Sequence, residues 1–338
     1  MRADDEMFYL ADAASGTFAS LAPSGTIDVD WIGGGRPMAF VGRDQVTLYF
    51  GVREQVMALP GAQFVRVSPD GRRAIVGTME PHAAAIYRLV VIEFASDQPR
   101  TLVTLPVDAR GLTLNAGAWS PNGRYFAYFV ESMNASLNAD GVGLRIVDAF
   151  DGQVTELGMT IFDAPQLAWA APHTLAYISG AGRETWLNKT LRVWSPEDGV
   201  HDITRSTEVG LNPSWSPDGR TLYFVRAEAG AYDALEFFAA KASGDRRIAA
   251  YDVRSGNTMV FGTQAADVSE GVRAARSGSL MLRVARPIAA SPRGADAVSL
   301  DLTTFDTSTQ QIKRLIVIGD NLGFYGKYDG PEGMAWAG

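Results

Sequence analysis

The chain has 338 residues, 46% of them hydrophobic, with 35 glycines, no cysteine and a formal net charge of −8. That composition belongs to a globular protein able to bury a large core, and the acidic balance excludes the basic stripe of a nucleic-acid surface. The lack of cysteine excludes disulfides, thiol catalysis and Cys-based zinc sites, and no apolar run approaches the ~20 residues of a membrane-spanning helix.

The chain opens on two short runs, Met7–Asp12 and Thr17–Leu21, joined by Ser15-Gly16, which is a hairpin signal. Asp4, Asp5 and Glu6 stand where a signal peptide would carry its basic and apolar regions, so none is read there. Trp31-Ile32-Gly33-Gly34-Gly35-Arg36 then leads into Pro37–Val41. Sharper forms of the same unit follow: Ser68-Pro69-Asp70-Gly71, Ser120-Pro121-Asn122-Gly123 and Ser216-Pro217-Asp218-Gly219, each succeeded by an arginine and a β-prone run. Proline presets φ for the second position of a type I turn, Asp or Asn suits the third, and glycine accepts positive φ at the fourth. The prediction is a tight hairpin with a bulge, in which the aspartates serve the turn rather than a metal. Decayed copies stand at Trp169–His173, Ala275–Gly278 and Tyr328–Gly333, giving seven in all at intervals of about 50 residues, slightly above the common propeller repeat.

A second hairpin follows each copy. Leu144–Asp148 turns through Asp151-Gly152 into Val154–Leu157, Leu191–Trp194 through Asp198-Gly199 into His201–Thr204, and Ile248–Val253 through Ser255-Gly256 into Thr258–Phe261. Each repeat therefore holds four strands, A to D, and four-stranded sheets repeated in this way make a β-propeller. The expected fold is all-β: seven blades in one domain spanning residues 1–338, the last blade built from the hairpin at 7–21 and the stretch 322–338. Six blades result if the C-terminal copy is only a tail. Blade tryptophans 31, 119, 169 and 215 share one frame position and are expected to pack between neighbouring blades.

The Trp-Ser-Pro-Asp-Gly frame of Trp215–Gly219, with its Asn122 variant at Trp119–Gly123, resembles the TolB-type propeller repeat, which also builds the propellers of prolyl-oligopeptidase and dipeptidyl-peptidase relatives. The resemblance covers nearly the whole chain. It implies a propeller fold and favours an extracytoplasmic, periplasmic or cell-surface setting. It does not single out an activity, because one fold hosts many.

The long segments lie between strands B and C, and insertions gathered on one side of a repeat array mark its binding face. Segment 78–86 contributes His82. Segment 131–142 contributes Glu131, Asn134, Asn138 and Asp140. Segment 179–190 contributes Arg183, Glu184 and Trp186, the tryptophan being suited to stack on a sugar ring or anchor a partner. Segment 227–247 contributes Glu228, Tyr232 and Phe237; its run Ala231–Lys241 predicts a short helix, with Tyr232, Leu235, Phe238 and Ala239 on one side. Segment 285–297 contributes Arg286 and Arg293. Ser136-x-Asn138-x-Asp140-Gly141 echoes the start of a calcium loop, but Val147 stands where the closing glutamate belongs, and a polar hairpin loop is the better reading.

No Gly-x-Ser-x-Gly elbow, His-Glu-x-x-His motif or Walker loop occurs, and the three histidines, His82, His173 and His201, fall on different parts of the frame. No cofactor, metal or catalytic set is read. The expectation is a non-enzymatic propeller that binds a protein or envelope component through its B–C face, with a small ligand or sugar possible and no nucleic acid. A lyase or hydrolase acting on carbohydrate in a central channel is the second reading, and a sensor or accessory domain of a longer peptidase or receptor is the third.

Overall fold

The computed structural model describes residues 9–12, 17–20, 26–31, 38–42, 44–50, 53–80, 86–96, 98–106, 111–134, 138, 140–161, 166–183, 185–229, 246–262, 267–275, 280–287 and 300–318. Every element in it is a β-strand. An N-terminal pair, β1 (Tyr9–Asp12) and β2 (Thr17–Ser20), forms a two-stranded sheet. Sheet 1 holds β3 (Asp28–Trp31), β4 (Met38–Gly42), β5 (Gln45–Phe50) and β6 (Arg53–Ala58). Sheet 2 holds β7 (Ala62–Val67), β8 (Arg73–Glu80), β9 (Ile86–Glu93) and β10 (Pro99–Pro106). Sheet 3 holds β11 (Leu112–Trp119), β12 (Tyr125–Ser132), β13 (Val142–Asp148) and β14 (Val154–Thr160). Sheet 4 holds β15 (Leu167–Ala170), β16 (Thr174–Ser179), β17 (Thr190–Ser195) and β18 (Gly199–Asp202). Sheet 5 holds β19 (Glu208–Trp215), β20 (Thr221–Glu228), β21 (Arg247–Asp252) and β22 (Thr258–Val260). Sheet 6 holds β23 (Asp267–Ala274), β24 (Leu280–Pro287), β25 (Leu300–Asp306) and β26 (Ile312–Ile318).

All six are antiparallel meanders in chain order. The described residues thus hold six four-stranded sheets, not the seven expected. The β1–β2 hairpin is present as predicted, but its intended partner, 322–338, lies outside the described residues, as does the predicted helix at 231–241. Residues Met1–Ala135 and Gly143–Glu156 gather into one compact unit, and Ser136–Val142 with Leu157–Gly338 into a second.

The central strands are apolar almost throughout because they are buried on both faces. Along β8, Ala74 and Val76 pack toward sheet 1 beside Val41 and Leu48, while Ile75 packs toward sheet 3 beside Leu114 and Phe126. The period-two alternation of a strand makes this division automatic. In the second unit, Leu222 and Phe224 of β20 join Ile178 and Leu191 of sheet 4, whereas Tyr223 and Val225 join Val272 and Phe305 of sheet 6. Each such aliphatic or aromatic side chain contributes roughly 1.5–3 kcal/mol on burial, so the core is shared out between successive sheets.

The three Ser-Pro-Asp/Asn-Gly turns have one geometry. Gly71, Gly123 and Gly219 take φ of 67°, 66° and 68°, and their N–H groups donate to the carbonyls of Ser68, Ser120 and Ser216 at 2.8–2.9 Å. Each serine hydroxyl donates to the turn Asp or Asn two residues on, at 2.6–2.7 Å. The same Asp70, Asn122 and Asp218 oxygens accept the N–H of Arg72, Arg124 and Arg220 at 3.1 Å. The aspartates serve the turn, as predicted. The tryptophans join neighbouring sheets: Trp119 Nε1 donates to the Arg66 carbonyl of β7 at 2.9 Å, and Trp215 Nε1 to the Ala168 carbonyl of β15 at 3.0 Å.

Candidate binding face

Antiparallel connection sorts the loops. In every sheet the A–B and C–D turns share one end, here the turn end, and the B–C loops share the other, the loop end. The loop end of the second unit is the more elaborate. Its loop 180–189, between β16 and β17, is closed at its base by a backbone contact: a Cβ added to Gly180 (φ 143°) would lie 1.9 Å from the Asn188 carbonyl oxygen, so only glycine fits. Lys189 is almost fully buried, and its ammonium donates to the carbonyls of Ala181 and Leu187 at 3.0 Å each. An ammonium taken from water needs such acceptors, and here they tie the two arms of the loop together.

Two sequence candidates meet on this loop. Arg183 Nε donates to Asp140 Oδ1 at 2.5 Å, and the Gly182 N–H donates to the Asp140 carbonyl at 2.8 Å. The Arg183 hydrogen bond, with its charge, holds the Asp140 carboxyl below the usual carboxylate range. The Asp140 carboxylate is therefore engaged by a guanidinium in the segment that echoed a calcium loop. Asn138 stands beside it, accepting the Gly141 N–H through its carbonyl at 3.0 Å.

Trp186, from the same loop, is half-buried against the core of the unit. The Arg246 guanidinium stacks on its ring at 4.0 Å, and Arg246 Nη1 donates to Glu270 Oε1 at 2.7 Å. Both charged side chains are buried. Glu270 sits where β23 bulges between Ser269 and Gly271, and its carbonyl accepts the Asn212 side-chain N–H at 2.7 Å. Asn212, at φ 53° in the β19 bulge, is held from its other side by Gln166. Loop 180–189 is thereby fastened to sheets 5 and 6.

The remaining candidates stand apart. Glu131, on β12 in the first unit, accepts from Asn115 Nδ2 at 3.1 Å, and burial pushes its carboxyl up against the opposing effect of that bond. Asn134 follows on the exposed loop after β12. Glu228 ends β20 opposite Glu208, whose charge is matched by Arg226 at 2.5 Å. Arg286 pairs with Val268 through its backbone, its side chain being outside the described residues. His82, Glu184, Tyr232, Phe237 and Arg293 also lie outside them. Sequence reading missed Lys189, Arg246 and Glu270. Gly271 beside Glu270 in a strand frame is the one local sign, since a glycine inside a strand often marks a bulge.

No protein-family model matches the chain, and no curated protein does. Among solved structures, it is similar to dipeptidyl peptidase 4 of Porphyromonas gingivalis at TM-score 0.60 and 12% identity, over 94% of this chain and 49% of that one. The fold class is the β-propeller. A TolB from Agrobacterium tumefaciens matches at TM-score 0.35 and 12% identity, over 92% of this chain and 89% of that one. Oligogalacturonate lyase from Vibrio parahaemolyticus matches at TM-score 0.47 and 13% identity, over 91% and 84%. At 12% identity the likeness to the peptidase concerns the fold alone. Among the described residues no helix is long and apolar enough to cross a membrane.

Proposed function

We propose that the chain is a binding propeller, not an enzyme, and that it takes a protein or cell-envelope component on the loop end. The observation that carries this reading is loop 180–189, fixed before any partner arrives by the Gly180–Asn188 contact, the Lys189 ammonium and the Asp140–Arg183 ion pair. A loop ordered in advance loses little conformational entropy on binding. Asp140 and Arg183 keep part of their side chains in solvent, where they offer a partner one charge of each sign. Residues 1–338 act in this reading as one propeller domain. The repeat's resemblance to TolB-type propellers supports the envelope partner and an extracytoplasmic setting.

Photocrosslinking from single sites tests it. A benzophenone side chain at Asn138 is expected to give discrete adducts in the envelope fraction of the source cells, and the same group at Ser255 on the turn end none. Arg183→Glu should weaken the adduct at least tenfold, and the swap Asp140→Arg with Arg183→Glu should restore part of it. Adducts from Ser255 alone, or an Asn138 adduct indifferent to Arg183→Glu, would overturn the reading.

A further inference from the structure

The turn end of the second unit is not featureless. An open pocket of about 330 Å³ lies between sheet 5 and the turn joining β25 to β26, near the lower bound of the roughly 300–1,000 Å³ typical of small-molecule sites. Tyr223 of β20 is buried beside it, its hydroxyl hydrogen-bonded to Thr307 in that turn. Asp252 closes β21. Its Oδ1 accepts the Ser255 N–H at 2.7 Å, and that bond, with others from Ser255 and Arg254, holds its carboxyl below the usual range. Asn257 stands exposed at the start of β22. Phe261 is buried in the lining, and Met259 is 57% exposed.

These groups select a ligand by chemistry. The ionised Asp252 repels an anion and accepts hydroxyl hydrogens. The Asn257 carboxamide both donates and accepts. An apolar ligand would cover these polar groups without satisfying them, which is unfavourable. A ring with hydroxyls on its rim and C–H groups on its face meets both requirements, with the exposed Met259 under the apolar face. We propose that this pocket binds a neutral sugar of one or two rings. The site is independent of the loop-end reading: it is formed by the opposite end of the same unit from Arg183 and Trp186.

The test is a ligand-observed NMR titration of the full chain with glucose, galactose, N-acetylglucosamine and, as a cationic control, choline. At least one neutral sugar is expected to bind saturably. Asn257→Ala and Asp252→Ala should each weaken it at least tenfold, and Gln63→Ala, an exposed change on β7 of the first unit, should leave it unchanged. Because Asp252 also shapes its turn, Met259→Glu serves as a second variant: it keeps the turn, charges the apolar lining and should also weaken binding at least tenfold. Thermal melts of each variant verify folding. The proposal is overturned if no neutral sugar saturates, if choline binds in preference, or if sugar binding ignores both Asn257→Ala and Met259→Glu.

Discussion

Arg246 and Glu270 form an ion pair at 2.7 Å with side chains only 7% and 1% exposed. It joins the start of β21 to the bulge of β23, and the Trp186 ring lies on its guanidinium. Removing one partner from a buried pair strands the other charge in a poor solvent, which costs about 3–5 kcal/mol. Glu270→Gln is therefore expected to lower the free energy of unfolding, read from urea denaturation, by an amount in that range, and the double change Arg246→Met with Glu270→Leu to recover most of it. Equal losses in the single and double variants would show that the pair contributes no such penalty.

The tryptophan bonds between sheets predict a smaller effect at two places. Trp119→Phe and Trp215→Phe keep an aromatic ring but remove the N–H that satisfies the carbonyls of Arg66 and Ala168. Leaving a carbonyl unsatisfied costs roughly 1–3 kcal/mol. Each variant should melt lower than the parent, by similar amounts. A neutral result at both sites would reduce these bonds to incidental contacts.

Acid should open the loop-end clasp. The folded Asp140 carboxyl is held low chiefly by its hydrogen bond from Arg183. A group depressed on folding contributes its stabilisation above its unfolded pKa and loses it as pH falls through the folded one. The clasp is thus intact at neutral pH and releases only below the ordinary carboxylate range. In an NMR titration Asp140 should titrate below its usual value, and Arg183→Ala should return it toward that value.

Alkali should act at Tyr128 and Tyr177. They occupy equivalent places on β12 and β16, opposite Arg145 and Arg192. Burial pushes each phenol up to about 12. A phenol raised on folding contributes stability that is complete below its unfolded pKa and lost as pH rises through the folded value. Absorbance at 295 nm should show both titrating near pH 12, and stability should fall between about pH 10 and 12. Tyr128→Phe with Tyr177→Phe should remove that late step.

The frame of this protein was legible because its signals are local. The serine, proline and glycine of each turn act on residues within five positions, and the predicted hairpins at Ser68–Gly71, Ser120–Gly123 and Ser216–Gly219 all formed. Among the described residues, the charged candidates Asp140 and Arg183 proved to be partners, because two loops 43 residues apart in the chain meet in space. Nothing in the neighbourhood of Lys189 or Arg246 announced a buried charge; burial comes from segments that close over them.

What the sequence by itself determined is the hairpin chemistry, the four-strand order of each sheet and the tryptophan frame. These follow from φ preference and period-two burial, which are properties of neighbouring residues. What only the tertiary structure decided is which charges are buried together, Arg246 with Glu270 and the Lys189 ammonium within its own loop, and that the turn end carries a pocket. The Arg246–Glu270 pairing and the pocket depend on the bulges at Asn212 and Glu270 and on the packing of sheet 5 against sheet 6, where a side chain's environment is set by residues tens of positions away.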